Sequence, residues 1–286
     1  MPVTICAQQS RPTLSGYLQL REFYQSPTGM SATVEGARVY LNGSLAQFTY
    51  RISADLGQSV ELADAWVRWS PNPAWRFTVG QLKTPFSRQY LLERSRVEFA
   101  DRAAVAESLP PKRDIGMMAS YSWKTVATLS AGVFNGEGPN TLTNSDSTVL
   151  AVVRMTIRPF EPLDLGANVA TYGSDSTRYG ADAALVSGSV SGRVEFIDQH
   201  HLGTPSEQDD FGWYVEGMYH VNPHVQLLLR QEYLRRPAAQ PRDIATTAGA
   251  ALESGDQHVR ATFEYRSRAL AGVRHGEAIG QLQLTF

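Results

Sequence analysis

The last ten residues, Glu277-Ala278-Ile279-Gly280-Gln281-Leu282-Gln283-Leu284-Thr285-Phe286, alternate between apolar and polar side chains. In a β-strand, alternate side chains point to opposite faces. One face therefore carries Leu282, Leu284 and Phe286, and the other carries Gln281, Gln283 and Thr285. An apolar face toward lipid, a polar face toward a water-filled lumen and aromatic residues at the membrane surface are typical of a transmembrane β-barrel. The stretch therefore predicts the closing strand of such a barrel, with the leucines facing lipid and the glutamines lining the lumen.

The composition excludes a helical membrane protein. The chain has 286 residues, a formal net charge of -2 and 42% hydrophobic residues, and its mean hydropathy is -0.27. No segment approaches the roughly 18 to 20 consecutive apolar residues that a membrane-spanning helix needs. A transmembrane β-barrel is still compatible with this composition, because only alternate residues of its strands meet lipid. Positive charge comes almost entirely from arginine, which binds anionic oxygen in bidentate fashion.

Alternating segments recur along the chain with turn residues between them, as β-hairpins require. Asn42-Gly43, between two such segments, is the strongest short hairpin signal. The predicted strands are Ser15–Tyr24, Val34–Leu41, 46–54, Leu62–Ser70, Trp75–Leu82, Gly116–Trp123, Thr125–Phe134, Val149–Arg158, Leu163–Tyr172, Arg178–Val186, Ser189–Gln199, Gly212–Val221, Val225–Leu234, Ile244–Leu252, His258–Arg268 and 277–286. The sequence thus predicts an all-β fold, a transmembrane antiparallel barrel of 16 strands.

The connections between these strands predict which way the barrel faces. Turns after the even-numbered strands are short, whereas the other connections include residues 83–112, 135–147, 200–210 and 235–243. Short periplasmic turns and long extracellular loops are the pattern of bacterial outer-membrane barrels. An even number of strands returns the chain to the side on which it started. Both termini are therefore expected on the periplasmic side of the outer membrane.

The chain is divided into an N-terminal tail, residues 1–14, and a single barrel domain, residues 15–286. Ile5-Cys6-Ala7 resembles the small-residue end of a signal peptide. Two interpretations of the tail stay open: a signal-peptide remnant that ends at Ala7, or a disordered segment. Cys6 is the single cysteine, which rules out a disulfide within the chain.

The connection formed by residues 84–112 is the longest. Its segment 86–107 mixes apolar and charged residues at roughly helical spacing, and Pro110-Pro111 ends it. The loop could fold into the barrel as a constriction or form an extracellular lid. We favour the constriction, because apolar residues of an outward loop would have no wall to pack against.

Residues 79–88, Val-Gly-Gln-Leu-Lys-Thr-Pro-Phe-Ser-Arg, are the most specific stretch of the chain, and Arg113-Asp114-Ile115-Gly116 follows the long loop. This arrangement resembles the phosphate-selective porin O and P family, in which a strand ending Gly-Gln-Phe-Lys-x-Pro-Phe-Ser precedes a long loop and the next strand begins Arg-x-x-Gly. Leu62–Val67 is similar to the family's Lys-Asp-Ala-Tyr-Val segment, with Ala63 in place of the lysine. Arg38 lies where the family's second strand often carries arginine.

The resemblance implies a porin of the bacterial outer membrane, which is a passive diffusion channel for small hydrophilic solutes. It also implies a homotrimer that contacts outer-membrane lipid and lipopolysaccharide. Small anionic or hydrophilic solutes, phosphate among them, would pass through the lumen. Phosphate specificity does not follow, because the chain has only the lysines Lys83, Lys112 and Lys124.

Strand parity predicts which basic residues face the lumen, because a charge on the lipid face costs about 2 to 4 kcal/mol at the membrane midplane. Rings of such charges set selectivity in wide pores. The pore-lining residues predicted from parity are Arg38, Arg51, Arg68, Arg154, Arg193, Arg230 and Arg260. An inward-folded long loop would place the constriction candidates Lys83, Arg88, Arg94 and Arg102 beside the solute path. Arg21 and Arg266 share their face. An alternative for each arginine is a structural pair with a lumen carboxylate such as Asp55, Asp64, Glu195, Glu232 or Glu264.

Other functional classes have weaker support. His200-His201 could ligate a metal, but no third ligand cluster is identifiable, and no catalytic motif appears. The sequence therefore predicts no enzyme activity, cofactor, metal or nucleic-acid partner. Three alternatives remain: an outer-membrane barrel enzyme, a non-conducting structural or adhesion barrel, and a secreted soluble β-protein.

Overall fold

A computed structural model describes residues 11–26, 28–57, 59–144, 147–173, 175–203, 205, 208–237 and 240–286. Residues 1–10, with the predicted signal-peptide remnant, lie outside these ranges. The described chain forms a closed barrel in which each strand pairs with its neighbours along the chain, and the last pairs with the first. The strands are β1 (Thr13–Gln25), β2 (Gly29–Leu45), β3 (Phe48–Asp55), β4 (Glu61–Trp69), β5 (Trp75–Lys83), β6 (Arg113–Trp123), β7 (Ala127–Phe134), β8 (Leu150–Phe160), β9 (Leu163–Tyr172), β10 (Ser176–Ser187), β11 (Val190–His201), β12 (Asp210–Asn222), β13 (Val225–Arg236), β14 (Gln240–Glu253), β15 (Val259–Leu270) and β16 (Val273–Thr285). The prediction of a 16-stranded antiparallel barrel is confirmed.

The barrel closes between β1 and β16, which pair antiparallel from Tyr17 opposite Thr285 to Gln25 opposite Glu277. Two backbone hydrogen bonds complete the seam: the Gly16 N–H donates to the Phe286 carbonyl over 2.8 Å, and the Phe286 N–H donates to the Gly16 carbonyl over 3.0 Å. Gly16 is required here because a Cβ would lie 2.4 Å from the Arg38 carbonyl oxygen and 2.6 Å from the Phe286 ring. The terminal alternating segment is therefore the closing strand.

The two faces of the strands differ in chemistry as the alternation predicts. On β13, Leu229 points outward and is 59% exposed, whereas its neighbour Arg230 points inward and is 1% exposed. On β16, Leu282 and Leu284 are exposed on the outer surface, and Gln281 is buried inside. Apolar side chains therefore cover the outside, as a lipid-facing surface requires. None of the helices in the described ranges is long and apolar enough to span a membrane.

The connections fall into two sets, which define two ends of the barrel. Those after even-numbered strands are two to five residues long, from 46–47 to 254–258, and mark what we call the short-turn end. At the opposite, long-loop end, residues 84–112, 135–149 and 202–209 form the longest connections. The expectation of a long connection at 235–243 is wrong, because β13 and β14 extend toward each other and leave only residues 237–239 between them. Added ladder hydrogen bonds extend this hairpin.

The loop formed by residues 84–112 folds into the lumen, so its prediction as an inward loop is confirmed. It contains α1 (Arg88–Leu91), a 3₁₀ turn (Arg94–Arg96) and α2 (Ala104–Ser108). The expected helical segment over 86–107 is therefore only a set of short turns. Extended residues interrupt it, including Leu92 with ψ 143° and Glu93 with ψ 144°, and several of the loop's backbone groups bond to side chains of the barrel wall.

Apolar packing fixes the lumen loop against the wall. Phe86 and Val105 are fully buried in a cluster with Ile197 and Tyr214 from the barrel. Phe99 belongs to a second cluster, with Met218, Leu228 and Ala251. Burial of each large side chain contributes about 1.5 to 3 kcal/mol. The lumen of this barrel therefore contains a small apolar core.

Candidate functional site

The lumen loop is held at its base by cations that bind its own backbone. The Lys83 ammonium donates to the carbonyls of Tyr90, Leu91 and Leu92 over 2.9, 3.3 and 2.7 Å. Arg102 donates to the Leu92 carbonyl over 3.0 Å. These carbonyls belong to the end of α1, where a helix leaves its acceptors without intrahelical partners. Lys83 and Arg102, both predicted at the solute path, thus contact the loop backbone.

Strand carboxylates hold the middle of the loop by accepting hydrogen bonds from its backbone N–H groups. Glu195 accepts from Arg88 over 3.0 Å and from Gln89 over 3.3 Å. Glu264 accepts from the N–H of Ala100 over 2.7 Å. Charge-assisted hydrogen bonds of this kind are stronger than neutral ones. These two carboxylates therefore bind the loop backbone, whereas the sequence suggested arginine pairs for them.

Three more strand carboxylates on the inner wall bind the lumen loop. Glu232 accepts from the N–H of Ala104 over 3.0 Å, and Glu216 accepts from the Gln89 amide over 3.0 Å. Asp182 binds the Arg88 guanidinium over 2.6 Å and has a fully buried side chain. These acidic side chains, one each from β10, β11, β12, β13 and β15, thus lie under the loop.

Asp101 anchors the loop to β1 and β15 with the roles exchanged, because here the loop supplies the carboxylate and the strands supply the cations. Its carboxylate lies 2.9 Å from Arg21, 3.2 Å from Arg266 and 3.6 Å from Arg94. Burial alone would raise the pKa of Asp101, but the charges of these three arginines outweigh it and lower the pKa to about 2. The carboxylate is therefore ionised at any physiological pH and holds three guanidinium groups on one loop residue.

Most of the predicted pore-lining arginines have a carboxylate partner within 4.0 Å. Arg38 pairs with Asp55 across β2 and β3 at 2.5 Å. The remaining pairs are Arg51 with Glu93, Arg88 with Asp182, Arg94 with Glu35 and Asp101, Arg102 with Glu107, Arg154 with Asp182, Arg193 with Glu98 and Glu216, Arg230 with Glu232, and Arg260 with Glu253. Within the described ranges, only Arg68 and Lys83 of the predicted set lack such a partner.

Arg68 lies in an aromatic stack on the inner wall. Its guanidinium carbon is 4.6 Å from the centre of the Trp66 ring, and the Arg51 carbon is 5.8 Å from the same ring. Arg51 also lies 5.1 Å from the centre of the Tyr40 ring. A cation over an aromatic face is stabilised by the ring quadrupole. Trp66 thus holds two guanidinium groups close together despite their like charge.

The inner wall around Arg68 carries hydroxyl groups instead of carboxylates. Arg68 donates to the Thr78 hydroxyl over 3.0 Å, and Arg76 donates to the Ser122 hydroxyl over 2.6 Å. Further hydroxyl side chains on this wall are Ser120, Thr128, Ser130 and Thr156. The short-turn halves of β4 through β8, residues 65–69, 75–79, 118–123, 127–131 and 154–160, contain no acidic residue. Guanidinium and hydroxyl groups both donate hydrogen bonds to anions.

Two main cavities flank the lumen loop. The cavity at the long-loop end has a volume of about 340 Å³ and is lined by Arg38, Arg94, Arg113 and Lys112 together with Glu35, Asp55 and Glu61. The cavity at the short-turn end has a volume of about 670 Å³. The 3₁₀ turn separates them, since Arg94 lines the first and Arg96 the second.

Three residues of the site were missed by the sequence interpretation. Arg76 has the inward parity of β5 and could have been found from the alternation that identified Arg68. Arg113 pairs with Asp64 at 2.9 Å, a contact between β6 and β4 that crosses β5 and has no local signal. Arg96 belongs to the loop, where strand parity does not apply.

The histidine pair lies at the long-loop end. The two ring nitrogens of His200 lie 2.7 Å from Asp209 and 3.2 Å from Asp198. Over the ranges that the structure describes, no group of three or more His, Cys, Asp or Glu residues is arranged to hold a metal ion. These contacts join β11 to the connection that follows it.

Comparison with solved structures identifies the architecture. An anion-selective porin from Comamonas acidovorans superposes with a TM-score of 0.73 at 12% identity, covering 96% of this chain and 99% of that one. The outer-membrane protein OmpT of Vibrio cholerae, in a trimer form, gives a TM-score of 0.72 at 11% identity over 96% and 99%. The outer-membrane channel DcaP of Acinetobacter baumannii gives 0.70 at 12% identity over 96% and 97%. These similarities show that the fold is that of outer-membrane porins and channels.

Sequence comparison identifies the family. No curated protein sequence matches the chain. The family model of phosphate-selective porin O and P matches residues 14–176, which is more than half of the chain. This match spans the Gly80 motif, the lumen loop and the Arg113 motif that follows it. The chain therefore belongs to the phosphate-selective porin O and P family and is a passive channel of the bacterial outer membrane.

Proposed function

We propose that this porin prefers anions and that they pass along the inner wall formed by β4 through β8. The observation that carries the proposal is the separation of charges inside the barrel. Arg68 and Arg76 have no carboxylate within 4.0 Å in the described part of the chain, and hydroxyl groups surround them. The carboxylates Asp182 and Glu195 lie under the lumen loop with fully buried side chains. A mobile ion therefore meets positive charge that protein acids do not neutralise.

The pore-lining residues fall into two groups under this proposal. Arg68 and Arg76 act directly on the solute, together with Arg96 at the 3₁₀ turn. The arginines bound to loop-covered acids, such as Arg154 and Arg230, contribute mainly by holding the loop in place. Separating a buried ion pair of this kind would leave an uncompensated charge. These arginines therefore stay bound to their carboxylates and do not bind the solute. Selectivity then depends on a few arginines and not on the whole set.

The assembly and orientation follow from the same family membership. We propose a homotrimer, with the outer face in contact with lipid and lipopolysaccharide. The short-turn end would face the periplasm, with both termini on that side, since short turns occur on the periplasmic side of such barrels. Residues 15–286 would act as one domain, as a channel and not as an enzyme. The trimer form of the similar Vibrio cholerae protein supports the oligomeric state.

The test is ion selectivity in a planar bilayer. With purified protein and a tenfold gradient of potassium chloride, we expect a zero-current potential whose sign reports chloride preference. Adding phosphate as the competing anion measures whether the solute class narrows further. A potential of the opposite sign would refute the anion preference, and absence of conductance would refute the channel itself. Chemical cross-linking of the detergent-solubilised protein tests the trimer.

A further inference from the structure

The cavity at the short-turn end differs from the rest of the lumen because it combines free positive charge with apolar surface. It is lined by Arg88, Leu92 and Arg96, which lie four residues apart along the lumen loop. Its volume of about 670 Å³ falls within the range of about 300 to 1,000 Å³ that is typical of sites for small organic ligands. An inorganic anion would leave most of this space and its apolar wall unfilled.

Two guanidinium groups of this cavity have donors available for a ligand. Arg88 binds Asp182 through Nε over 2.6 Å, and its two terminal nitrogens have no hydrogen-bond partner among the residues that the structure describes. Arg96 has an exposed side chain, with no ion pair or side-chain hydrogen bond to any described residue. Such planar, forked donors match the geometry of a carboxylate.

The acidic residues that line the cavity are already neutralised. Glu98 binds Arg193, and Glu253 binds Arg260. The third, Asp164, lies 2.7 Å from Arg158. Their partners are close enough to cancel most of their field at the distance of a ligand. The free charge facing the cavity is therefore positive.

The apolar part of the cavity includes Leu92, which lies between Arg88 and Arg96 in the sequence. Leu92 is partly buried and packs against the cluster that contains Val97, Met218 and Leu228. Leu92, Val97 and Met218 all line the cavity. Burial of apolar ligand surface contributes about 25 cal/mol per Å². An anion with an apolar body can thus place its charge on Arg96 or Arg88 and its body against Leu92.

We infer that the short-turn cavity is a binding site for organic monocarboxylates that carry an apolar body of aromatic size. The site lies on the route of the proposed anion channel, so this inference rests on the proposed function and names its solute class. Inorganic anions pass the same cavity without using its apolar wall. Organic carboxylates bind there and slow the passage of chloride.

Block of chloride conductance in a planar bilayer tests this site, with benzoate, acetate and benzyl alcohol as the probes. Acetate has the same charge as benzoate without the ring, and benzyl alcohol has the ring without the charge. We expect half-block by benzoate at a concentration about tenfold lower than by acetate, which corresponds to about 1.4 kcal/mol. Benzyl alcohol should not block, and block should be stronger from one chamber, because the two ends of the lumen differ.

Three variants locate the site. Leu92→Asn removes the apolar contact, so the half-block concentrations of benzoate and acetate should come to within about threefold of each other. Arg96→Gln, at an exposed position without a side-chain partner among the described residues, should weaken block by both anions. Arg274→Gln, on the outward face of β16, is the matched control and should change neither value.

Equal block by benzoate and acetate in the wild-type channel would overturn the inference, and so would an unchanged ratio in Leu92→Asn. Unchanged block in Arg96→Gln would also count against it. These failures leave the proposed function intact as long as the zero-current potential still reports chloride preference. A cation-preferring wild-type channel would instead refute the proposed function and, with it, this site.

Discussion

The two sides of the inner wall have opposite chemistry. The wall of β10 through β13, with β15, carries Asp182, Glu195, Glu216, Glu232 and Glu264, and the lumen loop covers all of them. On the wall of β4 through β8, the short-turn half carries arginine and hydroxyl groups and no loop carboxylate binds Arg68 or Arg76 in the described chain. The loop backbone therefore binds the acidic wall, and the loop carboxylates bind neither Arg68 nor Arg76.

This difference shows that the number of arginines in a lumen says little about selectivity. A guanidinium paired with a buried carboxylate presents almost no net charge to a passing ion. Arg68, Arg76 and Arg96, which have no carboxylate partner among the described residues, are a small part of the basic residues in the barrel. Under the proposed function, the loop affects ion selectivity in two ways, because it narrows the lumen and covers acidic side chains.

Removing the loop should abolish the difference between the two walls, and we expect the largest change in conductance and selectivity from it. Replacing residues 88–106 with a short Gly-Ser linker opens the lumen and exposes the docking acids. We expect single-channel conductance to rise at least about twofold, and chloride preference to fall because Glu195 and Glu216 become accessible. Single-channel recordings and zero-current potentials check both results. Unchanged conductance would contradict the position of the loop as a constriction.

Charge reversal on the open wall should change selectivity without changing the fold. In the double variant Arg68→Glu with Arg76→Glu, the chloride to potassium permeability ratio should fall about tenfold, or about 1.4 kcal/mol. The matched control is Arg154→Gln, whose guanidinium is already paired with Asp182 at 2.7 Å. If the control lowers the ratio as much as the double variant does, the distinction between paired and unpaired arginines fails.

Asp101→Asn weakens the attachment of the loop to β1 and β15. Loss of the charge-assisted contacts to Arg21, Arg94 and Arg266 should cost about 2 kcal/mol of unfolding free energy at neutral pH. The pKa of Asp101 is lowered to about 2, so its stabilisation is present above the ordinary pKa of an aspartate and is lost as the pH falls through about 2. The destabilisation should therefore shrink in acid. Urea unfolding in detergent, followed by tryptophan fluorescence, measures the unfolding free energy. An equal difference between the variant and the unchanged protein at pH 7 and pH 2 would contradict a role for the charge of Asp101.

Trp66→Leu should have the smallest effect. Without the ring, Arg51 and Arg68 lose a contact worth about 0.5 to 1 kcal/mol each, and their like charges move apart. We expect the permeability ratio to fall about twofold, whereas Trp66→Phe should keep most of it. Trp69→Leu, on the outward face of the same strand, is the control. An equal effect of both leucine variants would show that Trp66 acts only through barrel stability.

The sequence by itself determined the barrel, because strand alternation, turn residues and the apolar outward face are local patterns. The sixteen strands, the Gly16 to Phe286 seam and the inward parity of Arg68 all follow from such patterns. Only the tertiary structure decided which charges are free. The loop partners of Glu195 and Glu264 are backbone N–H groups more than 100 residues away along the chain, and backbone N–H groups carry no side-chain signature that a sequence pattern could reveal.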